Sequence, residues 1–219
     1  MKRLSVLCLI VALAIVAPVR AQTYLPAGSV DAQALLGPPP AADSPEHDTQ
    51  MAIVLWLQRT RTPEQIAFVQ KDLDLARFAP LLATELVAVD GIALKAMLDA
   101  VIDEVRTDYD KLKSVFDEPR PFEVNDQVHP ATEPRPVASY PSGHATRATV
   151  YARLLAEIFP DQKDALVELG RQIGYGRVIA GVHYPLDVLA GQKLGNAYAD
   201  VIIAQPAFAE AVRRIRGQR

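Results

Sequence analysis

The sequence predicts an all-α protein, a single-domain helical bundle with an irregular, proline-rich N-terminal segment. Three observations carry that expectation. From Met51 onward apolar residues recur at helical spacing, prolines and glycines punctuate the runs, and no stretch alternates apolar with polar residues as a half-buried strand would. Composition agrees. Half of the 219 residues are hydrophobic and 22% are charged, which excludes a disordered chain and provides core material for one domain. The net charge of −3 offers no basic excess for a nucleic-acid polymer, so any anion bound must be met by a local cluster of cations.

Residues 1–21 read as a secretory signal peptide. Lys2 and Arg3 form a basic start, Leu4 to Val16 is an unbroken apolar run, and Val19-Arg20-Ala21 is a small-x-Ala cleavage site. The run is shorter than the ~20 residues a spanning helix needs, so no stable membrane insertion is expected after its removal. Cleavage takes three of the 23 bases and none of the 26 acids, moving the net charge from −3 to −6. It also takes Cys8, the only cysteine, so a periplasmic or secreted chain would carry no disulfide.

Residues 22–50 contain Pro26, Pro38, Pro39, Pro40 and Pro45, a density that no helix or central strand tolerates, and they predict an extended strap. The helical domain is expected over 51–219. Ile53, Leu55, Trp56 and Leu57 open its first helix, which ends near Arg61. Thr62-Pro63-Glu64-Gln65 combines an N-cap, a proline at the first helical position and a Gln at the third, predicting a second helix to about Phe78. A short third runs from about Thr84 to Val89.

The strongest periodicity lies in Ile92 to Phe116, where Leu94, Met97, Leu98, Val101, Ile102, Val105, Tyr109 and Leu112 mark a core-facing stripe. Pro119 and Pro121 stop that helix, and Glu123 to Tyr140 is a long proline-rich loop of the kind that often carries function. Helix resumes after Pro141 and ends before Pro160. Asp161 caps the next, through Ala165, Leu166, Leu169 and Ile173, and Pro185 starts a last long one through Leu189, Leu194 and Val201. The total is about six or seven helices.

Three short motifs are left over from this packing logic. Lys113 and Arg120-Pro121 place two cations around a helix end, which alone suits a solvated face as well as a binding site. Pro141-Ser142-Gly143-His144 runs straight into a helix, where free backbone N–H groups and a hydroxyl can converge on an anion. Arg177, His183 and Asp187 form the third. His183 and Asp187 are four apart at a helix start, so the carboxylate can hold one imidazole nitrogen and leave the other free. Glycines at 170, 174, 176, 181 and 191 would let these helix ends approach closely.

In this order, K-x6-R-P, P-S-G-H and R-x5-H-x3-D resemble the tripartite signature of the phosphatidic acid phosphatase type 2 superfamily. The resemblance is to its soluble secreted branch, the bacterial class A nonspecific acid phosphatases, and spans about Leu73 to Pro206. It implies a metal-independent acid phosphatase without a cofactor, acting on small-molecule phosphate monoesters. Within the family pattern His183 would be the nucleophile, oriented by Asp187, and His144 the acid that protonates the leaving alkoxide and then activates water. Lys113, Arg120, Arg177, Ser142 and the Gly143 N–H would bind the phosphate oxygens. Relatives are often oligomeric, which allows a homo-oligomer here.

Two departures stand out: the family's Ser before the last Arg is Gly176, and the cysteine pair of the closest relatives is absent. A lipid phosphate or pyrophosphate phosphatase remains an alternative on the same residues, and a vanadium haloperoxidase-like enzyme or a non-catalytic phosphate-binding protein are more distant ones. His47 and His129 are expected at the surface, His129 being a candidate for the mouth of the site. Arg147, one turn after His144, reads either as solvated or as a substrate contact.

Overall fold

The structure, a computed structural model, describes residues 22–217; the signal-peptide reading and Cys8 lie outside the described residues. The polypeptide runs through α1 (Ala32–Leu36), α2 (Pro45–Thr60), α3 (Pro63–Val69), three 3-10 turns, α4 (Gly91–Phe116), α5 (Pro121–Val124), α6 (Gly143–Ile158), α7 (Lys163–Ile179), α8 (Pro185–Ile203) and α9 (Pro206–Ile215). Among the described residues there is no strand, and the fold is all-α.

The centre is α6, which packs chiefly against α7 and α8. Its core side is built from small residues, Ala145, Ala148, Ala152 and Ala156, so neighbouring helices come close. Two glycines of α8 show how close: a Cβ on Gly191 would lie 2.5 Å from the Ser142 carbonyl oxygen, and one on Gly195 2.6 Å from that of Thr146. Any larger residue would push α8 off α6, and the α8 start carries two of the expected site residues. Along the flank, α4 buries the stripe from Leu94 to Leu112 as its spacing predicts.

Several boundaries differ from the sequence expectation. The strap is not extended throughout: it holds the short α1, capped by Asp31, and gives way to α2 at Pro45, because Ser44 accepts the His47 N–H at 3.2 Å and Pro45 sits at the first helical position. That helix buries His47, Gln50 and Val54, which turns Trp56 outward and places His47 inside, its Nε2 3.5 Å from Glu118 Oε1. His47 is therefore no surface residue. α3 stops at Val69 rather than near Phe78. Arg77 folds back to donate to the Phe68 carbonyl at 2.6 Å, and the Asp74 carboxylate captures the Arg77 N–H, so the chain turns in 3-10 geometry.

Near Asp161 a 3-10 turn, Pro160–Gln162, precedes the α7 start at Lys163, and α7 has no side-chain cap. α9 has no counterpart in the sequence reading. It begins, like α2, α3, α5 and α8, with a proline, and buries Phe208, Ala211 and Ile215. Its last turn is tied to the α4 entrance, the Asp90 N–H donating to the Ile215 carbonyl at 2.8 Å.

Candidate active site

Four helix ends meet at one cleft: the last turns of α4 and α7 and the first turns of α6 and α8. At the α8 start, Pro185 sets the first helical position and Asp187 the third. Asp187 Oδ2 accepts the Tyr184 N–H at 2.8 Å, closing the helix end, and the same oxygen lies 3.1 Å from His183 Nδ1. The capping carboxylate is thus also the imidazole's holder. On the other ring nitrogen, Nε2 lies 3.2 Å from Arg120 Nη1. A guanidinium can only donate, so Nε2 accepts, and the proton resides on Nδ1 facing Asp187. The lone pair of Nε2 points toward the arginine and the cleft.

Burial, then Arg120, Lys113 and Arg177, hold the His183 pKa well below its ordinary value, so the ring is neutral. Burial pushes Asp187 up to about 6, against the hydrogen bonds from Ser139 and Tyr184 that favour its charge. Ser139, absent from the sequence reading, donates its hydroxyl to Asp187 Oδ2 at 2.5 Å and stands 3.2 Å from His183 Nδ1.

Two of the three cations, Lys113 and Arg120, are held by backbone carbonyls, and Arg177 by a side-chain hydroxyl. Lys113 donates from Nζ to the carbonyls of Ala138 at 2.6 Å and Pro141 at 3.0 Å, pinning the loop that carries Ser139 and leads to the P-S-G-H turn. Desolvation and the neighbouring Arg120 lower its pKa to about 8. Arg120 donates from Nε to Val137 O and from Nη1 to Val182 O, both at 2.7 Å. Arg177 donates from Nη2 to Thr132 Oγ1 at 3.3 Å, and its buried Nε has no partner among the described residues. An unpaired buried guanidinium N–H costs free energy unless an anion meets it, and here it stands beside the cleft.

At the α6 start, Ser142 is fully buried and its Oγ accepts the Ala145 N–H at 3.3 Å, so the hydroxyl oxygen caps the helix and does not line the cleft. The cap uses this oxygen as an acceptor, whereas the part in phosphate binding expected of Ser142 is that of an O–H donor. Gly143 does line the cleft. A Cβ there would lie 2.6 Å from the Tyr109 ring, so any other residue would have to displace that ring.

His144 follows, with Nδ1 3.3 Å from Arg147 Nη2; by the same donor argument Nδ1 accepts and Nε2 carries the proton. Burial together with Arg177 and Arg147 drives its pKa down to about 2. The cleft has a volume of about 410 Å³ and is lined by Lys113, Arg120, Gly143, His144, Arg177 and His183, with Arg106, Tyr109, Arg135 and Arg147 also on its walls. Asp187 sits behind His183. His129 is exposed elsewhere, its backbone tied to Gln58 and Arg61, and forms no part of the mouth.

The sequence profile of the PAP2 superfamily matches residues 81–209, a span that contains every one of these cleft cations and both histidines. The chain belongs to the PAP2 superfamily. A PAP2 fold relative is the crystal structure of the first transmembrane PAP2 type phosphatidylglycerolphosphate phosphatase from Bacillus subtilis, which superimposes with a TM-score of 0.53 at 19% identity over 74% of this chain and 86% of that one. Among sequence relatives, the acid phosphatase of Zymomonas mobilis is 30% identical over 171 residues, 74% of this chain and 65% of its own length. The chain thus spans just under two-thirds of that protein. The non-specific acid phosphatase of Providencia stuartii is 24% identical over 87% of this chain and 81% of its own.

Within this PAP2 member, Gly176 has a packing explanation. A Cβ there would lie 3.0 Å from Val69 Cγ1, so a serine would require the end of α3 to give by a few tenths of an ångström. Ser139 and Arg147 reach the site across the fold or along a helix face. Ser139 carries no spacing signal, while Arg147 at three residues past His144 does.

Proposed function

We propose that this PAP2 member is a metal-independent acid phosphatase that hydrolyses phosphate monoesters through a phosphohistidine. The observation that supports this reading most directly is His183: neutral, anchored at Nδ1 by Asp187, with its Nε2 lone pair turned toward a cleft walled by Lys113, Arg120 and Arg177. In the first step Nε2 forms a bond to phosphorus as the P–O bond to the alcohol breaks, and His144 gives a proton to the departing alkoxide. In the second, His144 takes a proton from water, the water oxygen bonds to phosphorus, and the N–P bond breaks to release phosphate and free His183. The cations and the Gly143 N–H neutralise the equatorial oxygens throughout, which is the main requirement of phosphoryl transfer. Burial, with Arg177 and Arg147, keeps His144 neutral in the free protein; a bound phosphate dianion offsets the field of the arginines, so the proton on His144 arrives with the substrate.

His183→Ala is expected to abolish turnover and any acid-labile labelled phosphoenzyme, whatever the leaving group. His144→Ala should slow alkyl phosphates by ~10²–10⁴-fold but p-nitrophenyl phosphate far less, because nitrophenolate leaves without a proton. Both proteins are assayed with EDTA present, which should leave wild-type turnover intact. A labelled intermediate that survives in His183→Ala would reverse the roles. Parallel rates on a nucleotide and on a micellar lipid phosphate separate this reading from a lipid phosphate or pyrophosphate phosphatase.

The substrate would be a small soluble ester and the location the periplasm or the medium. The N-terminal signal pattern supports this, and no helix among the described residues is long and apolar enough to cross a membrane. N-terminal sequencing of the protein recovered from a periplasmic extract should begin at Gln22; a chain that still begins at Met1 would contradict it.

A further inference from the structure

The cleft carries more positive charge than one phosphate needs. Seven cations and three acids line it, and only Lys113, Arg120 and Arg177 surround His183. Two of the others are Arg106 on α4 and Arg147 on α6, the latter in contact with His144. Arg106 is on the same face of α4 as Lys113, seven residues earlier, which at 1.5 Å per residue is about 10 Å along the helix. Arg147 is one turn beyond His144 on α6, and the Tyr109 ring lies between the two helices there. Neither arginine forms an ion pair with a carboxylate among the described residues. Arg147 gives Nε to the Gly143 carbonyl at 3.2 Å and Nη2 to His144, with Tyr109 as a further partner, and its guanidinium lines the cleft. Because His144 serves the leaving oxygen, whatever lies past it faces the leaving group.

We propose that this end of the cleft is a second anion subsite, formed by Arg147 and Arg106, and that the preferred substrates are phosphomonoesters whose leaving group carries a second phosphate. The inference rests on the phosphatase reading above. Two adjacent guanidinium groups suit a dianion better than a single carboxylate. The rise of about 10 Å along α4 from Lys113 to Arg106 is on the scale of a sugar-sized spacer between two phosphates rather than of a single bridging oxygen. Three acids on the walls, Asp72, Asp110 and Glu133, shape the rim without pairing these two arginines.

The test compares fructose 1,6-bisphosphate, 6-phosphogluconate and fructose 6-phosphate at low salt, in wild type and in Arg106→Gln. In wild type kcat/KM should favour the bisphosphate over fructose 6-phosphate by about tenfold, well beyond the statistical factor of two, with the carboxylate between them. Arg106→Gln should bring that ratio down to about threefold, and so should added salt. A second readout uses calorimetry on His183→Ala, where the bisphosphate should bind more tightly than fructose 6-phosphate by a similar factor. A wild-type ratio near two, or one unchanged by Arg106→Gln, overturns the subsite while leaving the phosphatase reading intact. Absence of turnover on all three esters together with the binding preference in calorimetry would sink the phosphatase reading and leave the subsite standing.

Discussion

Ser139 shows how much of the site is held by a residue that never touches phosphate. Its hydroxyl has one proton, which goes to Asp187 Oδ2 at 2.5 Å, and its backbone N–H donates to the Glu118 carbonyl at 2.7 Å, so the side chain is fixed from behind. Removing the hydroxyl leaves a fully buried carboxylate oxygen short of one donor, at a cost of about 1–3 kcal/mol, and frees His183 to tilt. Ser139→Ala should therefore lower kcat about tenfold or more with KM little changed, and raise the pH at which Asp187 takes up a proton. A structural role alone would lower thermal stability without moving the acid limb of the kcat profile, so that limb is the measurement. Ser139→Thr, if the extra methyl is accommodated, should restore part of the rate.

At the scale of helices, the decisive contact is α8 against α6. It brings Asp187 to the P-S-G-H turn, where the Ser142 N–H donates to the Asp187 carbonyl at 2.9 Å, and it depends on Gly191 and Gly195 having no side chain. Overpacking such a contact typically costs 1–3 kcal/mol. Gly195→Ala and Gly191→Ala should each lower the melting temperature by several degrees. They should differ in activity: Gly191 abuts Ser142 itself and its variant should lose most turnover, whereas Gly195, a turn farther along α8, should retain more. Equal activity losses with unequal melting temperatures would contradict this division.

For the whole molecule, burying two histidines among cations makes folding depend on pH. His144 and His183 have folded pKa values below the ordinary 6.5 of the unfolded chain, His144 at about 2, so each contributes stability above pH 6.5 that is lost as pH falls. Asp187 works the other way: its folded value of about 6 lies above the ordinary 3.8, so its contribution is complete below 3.8 and is lost as pH rises through 6. Between pH 7 and 5 His144 removes about 2 kcal/mol and His183 adds to that loss, while Asp187 returns about 1, so stability falls. Denaturant midpoints should fall over that range, and saturating inorganic phosphate should recover most of the loss by meeting the cations. A midpoint constant from pH 7 to 5 without phosphate would refute this.

What the sequence by itself determined is whatever adjacent residues encode: the core stripe of α4, the proline-marked starts of α3 and α8, and the spacing that lets Asp187 cap its helix and hold His183 at once. These are legible because helix periodicity and capping act over three or four residues. The tertiary structure alone decided the rest. That Ser142 spends its oxygen on a cap while Ser139 reaches Asp187 from 48 residues away, that His47 is buried against Glu118, and that α3 stops at Val69 to fill the space beside Gly176 all depend on chain segments distant in sequence. So does the placing of Arg106 and Arg147 on one cleft, which requires α4 and α6 to pack side by side. Composition and spacing carry no record of such meetings, because burial and the close approach of helices arise only when the whole chain has folded.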